Sequence, residues 1–112
     1  PAVLTPEMLD RRYAVSTQVG AKKSPHPVPT VENENGDRVF RMSSEAELEK
    51  IQTPTLVLHG RDDQVLPLDL AIRLHRAIKT SEMHTFGNCG HWVQLERRTE
   101  FVAQVLQFIA RT

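Results

Sequence analysis

Two short apolar runs, each stopped by glycine and separated by one helical stretch, limit what this chain can fold into. Pro54-Thr55-Leu56-Val57-Leu58-His59 breaks at Gly60-Arg61-Asp62-Asp63, and Met83-His84-Thr85-Phe86 runs into Gly87-Asn88-Cys89-Gly90-His91-Trp92. Between them, from about Pro67 to Lys79, Leu70, Leu74, Ala77 and Ile78 fall on one helical face, a stripe of the kind that packs on a sheet. A last helix repeats the pattern at Phe101, Val105, Phe108 and Ile109. Strand, helix, strand, helix is the alternation of a parallel sheet, because a parallel pair needs a crossover of about this length. The predicted fold class is therefore α/β. Open sheets of this class gather chemistry past the carboxyl ends of their strands. Here the sequence places an acid past the first strand and a histidine past the second.

Two strands are too few to stand alone, since a bare parallel pair leaves open edges and uncovered apolar faces. More sheet is expected from elsewhere, and the isolated chain is expected to be oligomeric, swapped or partly molten. A length of 112 residues allows one small domain or part of a larger one. The chain opens at Pro1 with neither methionine nor a charged, apolar leader, which suggests a start inside a longer polypeptide or a processed product. Its 14 basic and 14 acidic side chains cancel, so no basic field exists to attract nucleic acid. No apolar run approaches the roughly 20 residues that cross a bilayer. The single cysteine, Cys89, excludes an intramolecular disulfide framework, and the histidines (His26, His59, His75, His84, His91) lack metal-ligand spacing. A reducing, cytoplasmic setting with no cofactor and no structural metal is expected.

Upstream, Thr5-Pro6-Glu7 supplies a capping residue, a proline at the first helical position and an acid in the first turn. A helix from about Pro6 to Gln18 follows, with Gly20 able to end it. Met8, Arg12, Val15 and Val19 share one face, so Arg12 interrupts an apolar stripe. Its guanidinium either pairs with a local acid such as Asp10 or Glu7, or presents a fork to a carboxylate in a pocket. From Ala21 to Ser44, Pro25, Pro27, Pro29 and Asn35-Gly36 read as a loop or linker with a loose hairpin ending at Val39-Phe40-Arg41-Met42. Ser44-Glu45-Ala46-Glu47 fits a capping box for one or two helical turns. These divisions give an N-terminal segment at 1–20, a loop or linker with a short helix at 21–50, and a βαβα core at 51–112.

The two strand-end segments carry a resemblance. Thr-Leu-Val-Leu-His-Gly-Arg-Asp-Asp-Gln-Val-Leu-Pro-Leu at 55 to 68, with Phe-Gly-Asn-Cys-Gly-His-Trp-Val-Gln-Leu-Glu at 86 to 96, resembles the C-terminal part of an α/β-hydrolase. Within that superfamily it most resembles the hydrolases of meta-cleavage products, the 2-hydroxy-6-oxo-dienoates of aromatic degradation. Leu9-Asp10-Arg11-Arg12-Tyr13 extends the likeness weakly into what would be the end of a lid at 1–20, and about half of the chain is covered. The resemblance implies Asp63 as triad acid and His91 as triad base, with Asp62 a neighbour of structural or solvated role. It also implies Leu66 and Trp92 as pocket lining and Arg12 as the lid arginine that takes the carboxylate and 2-hydroxyl end of a small-molecule dienoate substrate. Taken singly, Asp63 could instead cap the following helix and Trp92 could be core.

What departs from the family is the nucleophile. None of Ser16, Ser24, Ser43, Ser44 and Ser81 has the Gly-x-Ser-x-Gly setting of a nucleophile elbow. Cys89, two residues before His91 on the same loop, reads as a small buried or semi-exposed thiol. The expectation is a C-terminal fragment of a serine-type carbon–carbon bond hydrolase, inactive alone, whose partner is its missing N-terminal part or another copy in a homo-oligomer. Two alternatives stay open: another hydrolase chemistry of the superfamily (esterase, epoxide hydrolase or dehalogenase), or a non-catalytic module that self-associates through its sheet edge.

Overall fold

The computed structural model describes residues 5–18 and 29–112. It divides into two compact units, Ala2–Met42 and Ser43–Thr112.

In the first unit, α1 spans Pro6–Ser16, with the Thr5 hydroxyl accepting from the Met8 N–H at 3.2 Å. The helix stops two residues short of the expected Gln18. In its last turn the Ser16 and Thr17 hydroxyls donate back to the Tyr13 carbonyl, which ends the ladder on side-chain bonds rather than on glycine. Gly20, Val19, Pro25 and Pro27 lie outside the described residues. The expected hairpin is present as β1 (Thr30–Glu32) and β2 (Arg38–Phe40), antiparallel with Val31 opposite Val39. Its turn is closed by the Asn33 side chain, which accepts from the Asn35 and Asp37 N–H groups, while Gly36 takes φ +82°. That left-handed conformation is open to glycine at no steric cost.

The second unit holds the α/β elements. The capping box forms: the Ser44 hydroxyl accepts from Glu47 N–H and the Glu47 carboxylate accepts from Ser44 N–H, starting α2 at Glu45–Leu48. Strand β3 (Thr55–Gly60) pairs in parallel with β4 (Ser81–Phe86), Thr55 opposite Ser81 and Gly60 opposite Phe86. The helix between them, α3, is Leu68–Ala77. Pro67 is its N-cap without a side-chain bond, so Asp63 does not cap it. Two C-terminal helices complete the unit, the short α4 (Val93–Glu96) and the longer α5 (Arg98–Arg111).

Two small apolar clusters hold these elements together. Leu48, Ala77 and Ile78 are buried with Ile51 and Leu74 against them, at the start of the strands; Phe86, Cys89 and Val93 are buried with Leu58 and Phe101, at their ends. The second cluster is the floor under the strand-end loops. The predicted α3 stripe holds, with Ala77 and Ile78 buried and Leu70 and Leu74 half-buried, but misses Ala71, which is 2% exposed. Ile109 corrects the predicted α5 face: it is 63% exposed, in a stripe with Val102 and Leu106, while Phe101, Val105 and Phe108 turn inward. Among the described residues each sheet has two strands and seven apolar side chains are buried. No helix among them is long and apolar enough to cross a membrane.

Candidate functional site

The site is made where β3 and β4 end, because the two loops that leave them are laced together by backbone. After β3, Arg61 N–H donates to Phe86 O and Asp62 N–H donates to Cys89 O, both at 2.9 Å. The histidine loop crosses so close over Gly60 that a Cβ built there would lie 2.0 Å from Gly90 O and 2.5 Å from Cys89 O. Only glycine fits that crossing. On the far side of the loop, Asn88 takes φ +49°, turning the chain back toward the strand end.

Asp63 sits at the centre of the first loop with its side chain 4% exposed. Its Oδ1 accepts from the N–H groups of Val65 (2.7 Å) and Leu66 (3.0 Å), and its Oδ2 meets His91 Nδ1 at 2.9 Å. Desolvation, the strongest single influence, pushes this carboxyl up. The donations from Leu66 N–H, His91 and Val65 N–H together outweigh it, and the group falls from 3.8 to about 2. Asp63 is therefore a carboxylate, an acceptor only, so His91 Nδ1 carries the proton of their bond. In the neutral form of the ring Nε2 is then the acceptor nitrogen, on a side chain that is 38% exposed.

Two residues absent from the sequence-derived set shape this pair. Glu96, on α4, accepts from Gly90 N–H at 2.8 Å and from Trp92 N–H at 3.0 Å, one carboxylate oxygen to each side of His91. His59, the last side chain of β3, is 12% exposed and lies 3.0 Å from Leu66 O and 3.6 Å from Asp63 Oδ2 through Nε2. The only sequence signals for them are a polar residue ending an apolar strand and an acid five residues past the histidine.

Of the other expected site residues, Leu66 adjoins Asp63 through its backbone and is 42% exposed. Trp92 is half-buried as the residue that enters α4. Arg12 is exposed on α1, in the other unit. Asp62 faces outward, 47% exposed, and pairs with its neighbour Arg61 at 3.0 Å. Cys89 is 1% exposed, its thiol pushed up by burial first and by Glu96 next, which is the opposite of what a thiolate nucleophile needs. Among the described residues no cluster of histidine, cysteine and carboxylate side chains could hold a metal ion. The arrangement can orient an imidazole, accept a proton at Nε2 and stabilise the imidazolium that results.

Known proteins resemble this chain in sequence and in fold. A 2-hydroxy-6-oxo-2,4-heptadienoate hydrolase of Pseudomonas putida is 37% identical over 112 residues, covering 97% of this chain and 39% of that protein. A 2-hydroxymuconate semialdehyde hydrolase, also of Pseudomonas putida, is 33% identical over 104 residues, 93% of this chain and 37% of that protein. The solved structure of a meta-cleavage product hydrolase from Pseudomonas fluorescens superposes with a TM-score of 0.72 at 32% identity, over 98% of this chain and 40% of that one. A carboxylesterase structure from Bacillus subtilis, at 23% identity and a TM-score of 0.73, shares the fold. The chain spans about two fifths of the length of these relatives and resembles the meta-cleavage product hydrolases over nearly all of its own. Residues 3–98 match the family described as alpha/beta hydrolase fold, and the chain belongs to that family.

Proposed function

We propose that this chain carries the acid–base half of a serine-type hydrolase that cleaves a carbon–carbon bond in a 2-hydroxy-6-oxo-dienoate. The observation that carries the proposal is the 2.9 Å bond from His91 Nδ1 to the buried Asp63 carboxylate, past the ends of two parallel strands. In this reading residues 51–112 are the C-terminal βαβα of the hydrolase core, 21–50 a connecting segment and 1–20 the end of a lid. The nucleophilic serine and the oxyanion donors come from the part of the fold that the relatives have and these 112 residues do not span. The order acid then histidine is the one such enzymes show after their nucleophile.

His91 Nε2 takes a proton from the serine hydroxyl or from water as the bond to the 6-oxo carbon forms. It returns a proton to the carbon leaving group once the dienol has passed to its keto tautomer. Asp63 keeps Nδ1 protonated throughout and stabilises the imidazolium. Water is added across the vinylogous diketone, and a carboxylic acid and a 2-hydroxydienoate leave. Arg12 takes the carboxylate end of the substrate, and Leu66 and Trp92 contact its carbon chain. The names of the relatives support this substrate class.

The test is His91→Ala in the complete enzyme with a dienoate substrate. Turnover is expected to fall by about 10³ to 10⁶ fold, the scale of triad members; a loss under about tenfold removes His91 from the mechanism. Arg12→Ala separates this substrate from a neutral ester, since only the dienoate loses affinity when the arginine goes.

A second reading is favoured by the exposed Val102, Leu106 and Ile109 stripe and the two-stranded sheet: a module that acts by self-association. A concentration-dependent mass with no hydrolysis of ester or dienoate selects it.

A further inference from the structure

His59 has no part in the proton transfers above, yet it is the most enclosed histidine near them. Its side chain is 12% exposed, at the last side-chain-bearing position of β3. A carbonyl oxygen can only accept, so the 3.0 Å contact with Leu66 O fixes the tautomer: Nε2 of His59 carries the proton and donates it. The 3.6 Å separation from Asp63 Oδ2 is outside hydrogen-bond range, so His59 does not compete with His91 for the carboxylate.

What His59 grips is the loop itself. Residues 63–66 are closed from inside by the Asp63 carboxylate, which accepts from Val65 and Leu66 N–H. The same peptide segment is closed from the strand side by His59 through the Leu66 carbonyl. Leu66 is thus held at both its N–H and its C=O, by two side chains four residues apart. If the outer bond is removed, the turn can open, and both donors that hold Asp63 Oδ1 move with it. Asp63 Oδ2 then loses its fixed distance to His91. We infer that His59 is a positioning residue: by holding the Leu66 carbonyl it keeps the Asp63 turn closed and the Asp63–His91 bond in register. Its catalytic consequence rests on the acid–base reading given above, whereas its structural consequence does not.

The experiment compares His59→Leu with His59→Gln in the full-length natural protein, because glutamine keeps an N–H donor at nearly the same reach and leucine keeps only volume. Two readouts are taken: the ¹⁵N and ¹H signals of the His91 imidazole together with amide exchange at Val65 and Leu66, and kcat and KM on a dienoate. In His59→Leu the Nδ1–H signal of His91 is expected to weaken and the two amides to exchange about tenfold faster or more. Turnover is expected to fall by about 10 to 100 fold with KM nearly constant, the scale on which a misplaced catalytic group is felt. His59→Gln should restore most of both. Unchanged His91 and amide signals in His59→Leu overturn the proposal. So does equal damage in both variants, or, where His59→Leu does not fold, a His59→Gln protein that folds but has lost the Nδ1–H signal. If the signals respond as expected while the unsubstituted protein hydrolyses neither dienoate nor ester, the functional reading fails and the positioning role stands.

Discussion

The two loops that meet at the site hold their key side chains in opposite ways. The acid loop fixes the side chain itself: Asp63 is 4% exposed, and both of its oxygens are engaged, Oδ1 by its own loop and Oδ2 by His91. The histidine loop fixes the backbone instead. Glu96 pins the peptide N–H groups before and after His91, and the imidazole it presents is 38% exposed. The difference fits the roles proposed for the two groups. An orienting carboxylate gains from being immobile, since its task is to hold one tautomer. A base must reach solvent or substrate, which a pinned main chain and a part-exposed imidazole allow.

The substitution that breaks both loops at once is expected to have the largest effect. Gly60→Ala would place a methyl 2.0 Å from Gly90 O, and the obstacle is backbone, which cannot swing aside. The histidine loop must lift, and the Asp62 N–H to Cys89 O and Arg61 N–H to Phe86 O bonds are lost with it. A destabilisation of about 3 kcal/mol or more is expected, from overpacking and broken backbone bonds together. Urea denaturation measures it, and an unchanged midpoint would mean that the loops are not laced as described.

Next in size is Asp63→Asn, which separates the carboxylate's charge from its shape. The side-chain oxygen still accepts from Val65 and Leu66 N–H, so the amide nitrogen is turned toward His91. It can only donate there, which forces Nδ1 to be the acceptor and puts the proton on Nε2. Loss of about 10⁴ in kcat is expected of the complete enzyme, the scale of a wrong tautomer. The variant also changes stability against pH. The folded carboxyl titrates at about 2 against 3.8 for an unperturbed group, so its contribution is complete above about pH 4 and disappears as pH falls toward 2. Melting midpoints across that window should slope in the parent chain and flatten in Asp63→Asn. Equal slopes would mean that Asp63 is not depressed in the folded state.

Glu96→Ala tests the other loop's strategy and is expected to be milder. Two peptide N–H groups lose their acceptor, at a cost of about 1 to 3 kcal/mol, while the imidazole itself loses no contact. Activity should fall about tenfold because His91 is displaced, and Glu96→Gln, which keeps one acceptor oxygen, should recover part of it. An activity loss as large as that of Asp63→Asn would erase the distinction between the two loops.

How much of this was legible in the sequence follows from the range over which each residue acts. Ser44 and Glu47 announce a capping box because both partners lie within one turn, and the structure forms it. The strands, the crossover helix and the placing of acid and histidine at strand ends follow from local apolar runs that glycine interrupts. Gly60 could be read as a strand breaker but not as the residue that admits another loop's backbone, because Gly90 is thirty positions away. His59 and Glu96 act on peptide groups rather than on side chains, and a peptide group leaves no mark in a sequence. Ile109 escapes its expected inward place for a related reason: helical spacing identifies an apolar side chain but not which neighbouring element is there to cover it.

The smallest expected effect sharpens the comparison within a single loop. Asp62 and Asp63 are chemically identical neighbours, yet Asp62 is 47% exposed and pairs with the Arg61 side chain, itself 57% exposed. The Asp62 carboxyl is lowered chiefly by its bond to Arg61, an exposed ion pair of the kind that contributes little, and to a lesser extent by the Cys89 and Asn88 N–H groups, for which asparagine keeps an acceptor oxygen. The contact of Asp62 that matters to the site is its peptide N–H on Cys89 O, and that survives any change of side chain. Asp62→Asn is therefore expected to leave the melting midpoint unchanged and to alter kcat/KM by less than about twofold, within the range of surface substitutions. A loss comparable with that of Asp63→Asn would exchange the parts of the two acids. It would place the working carboxylate on the outward face of the loop, where no bond to His91 is made.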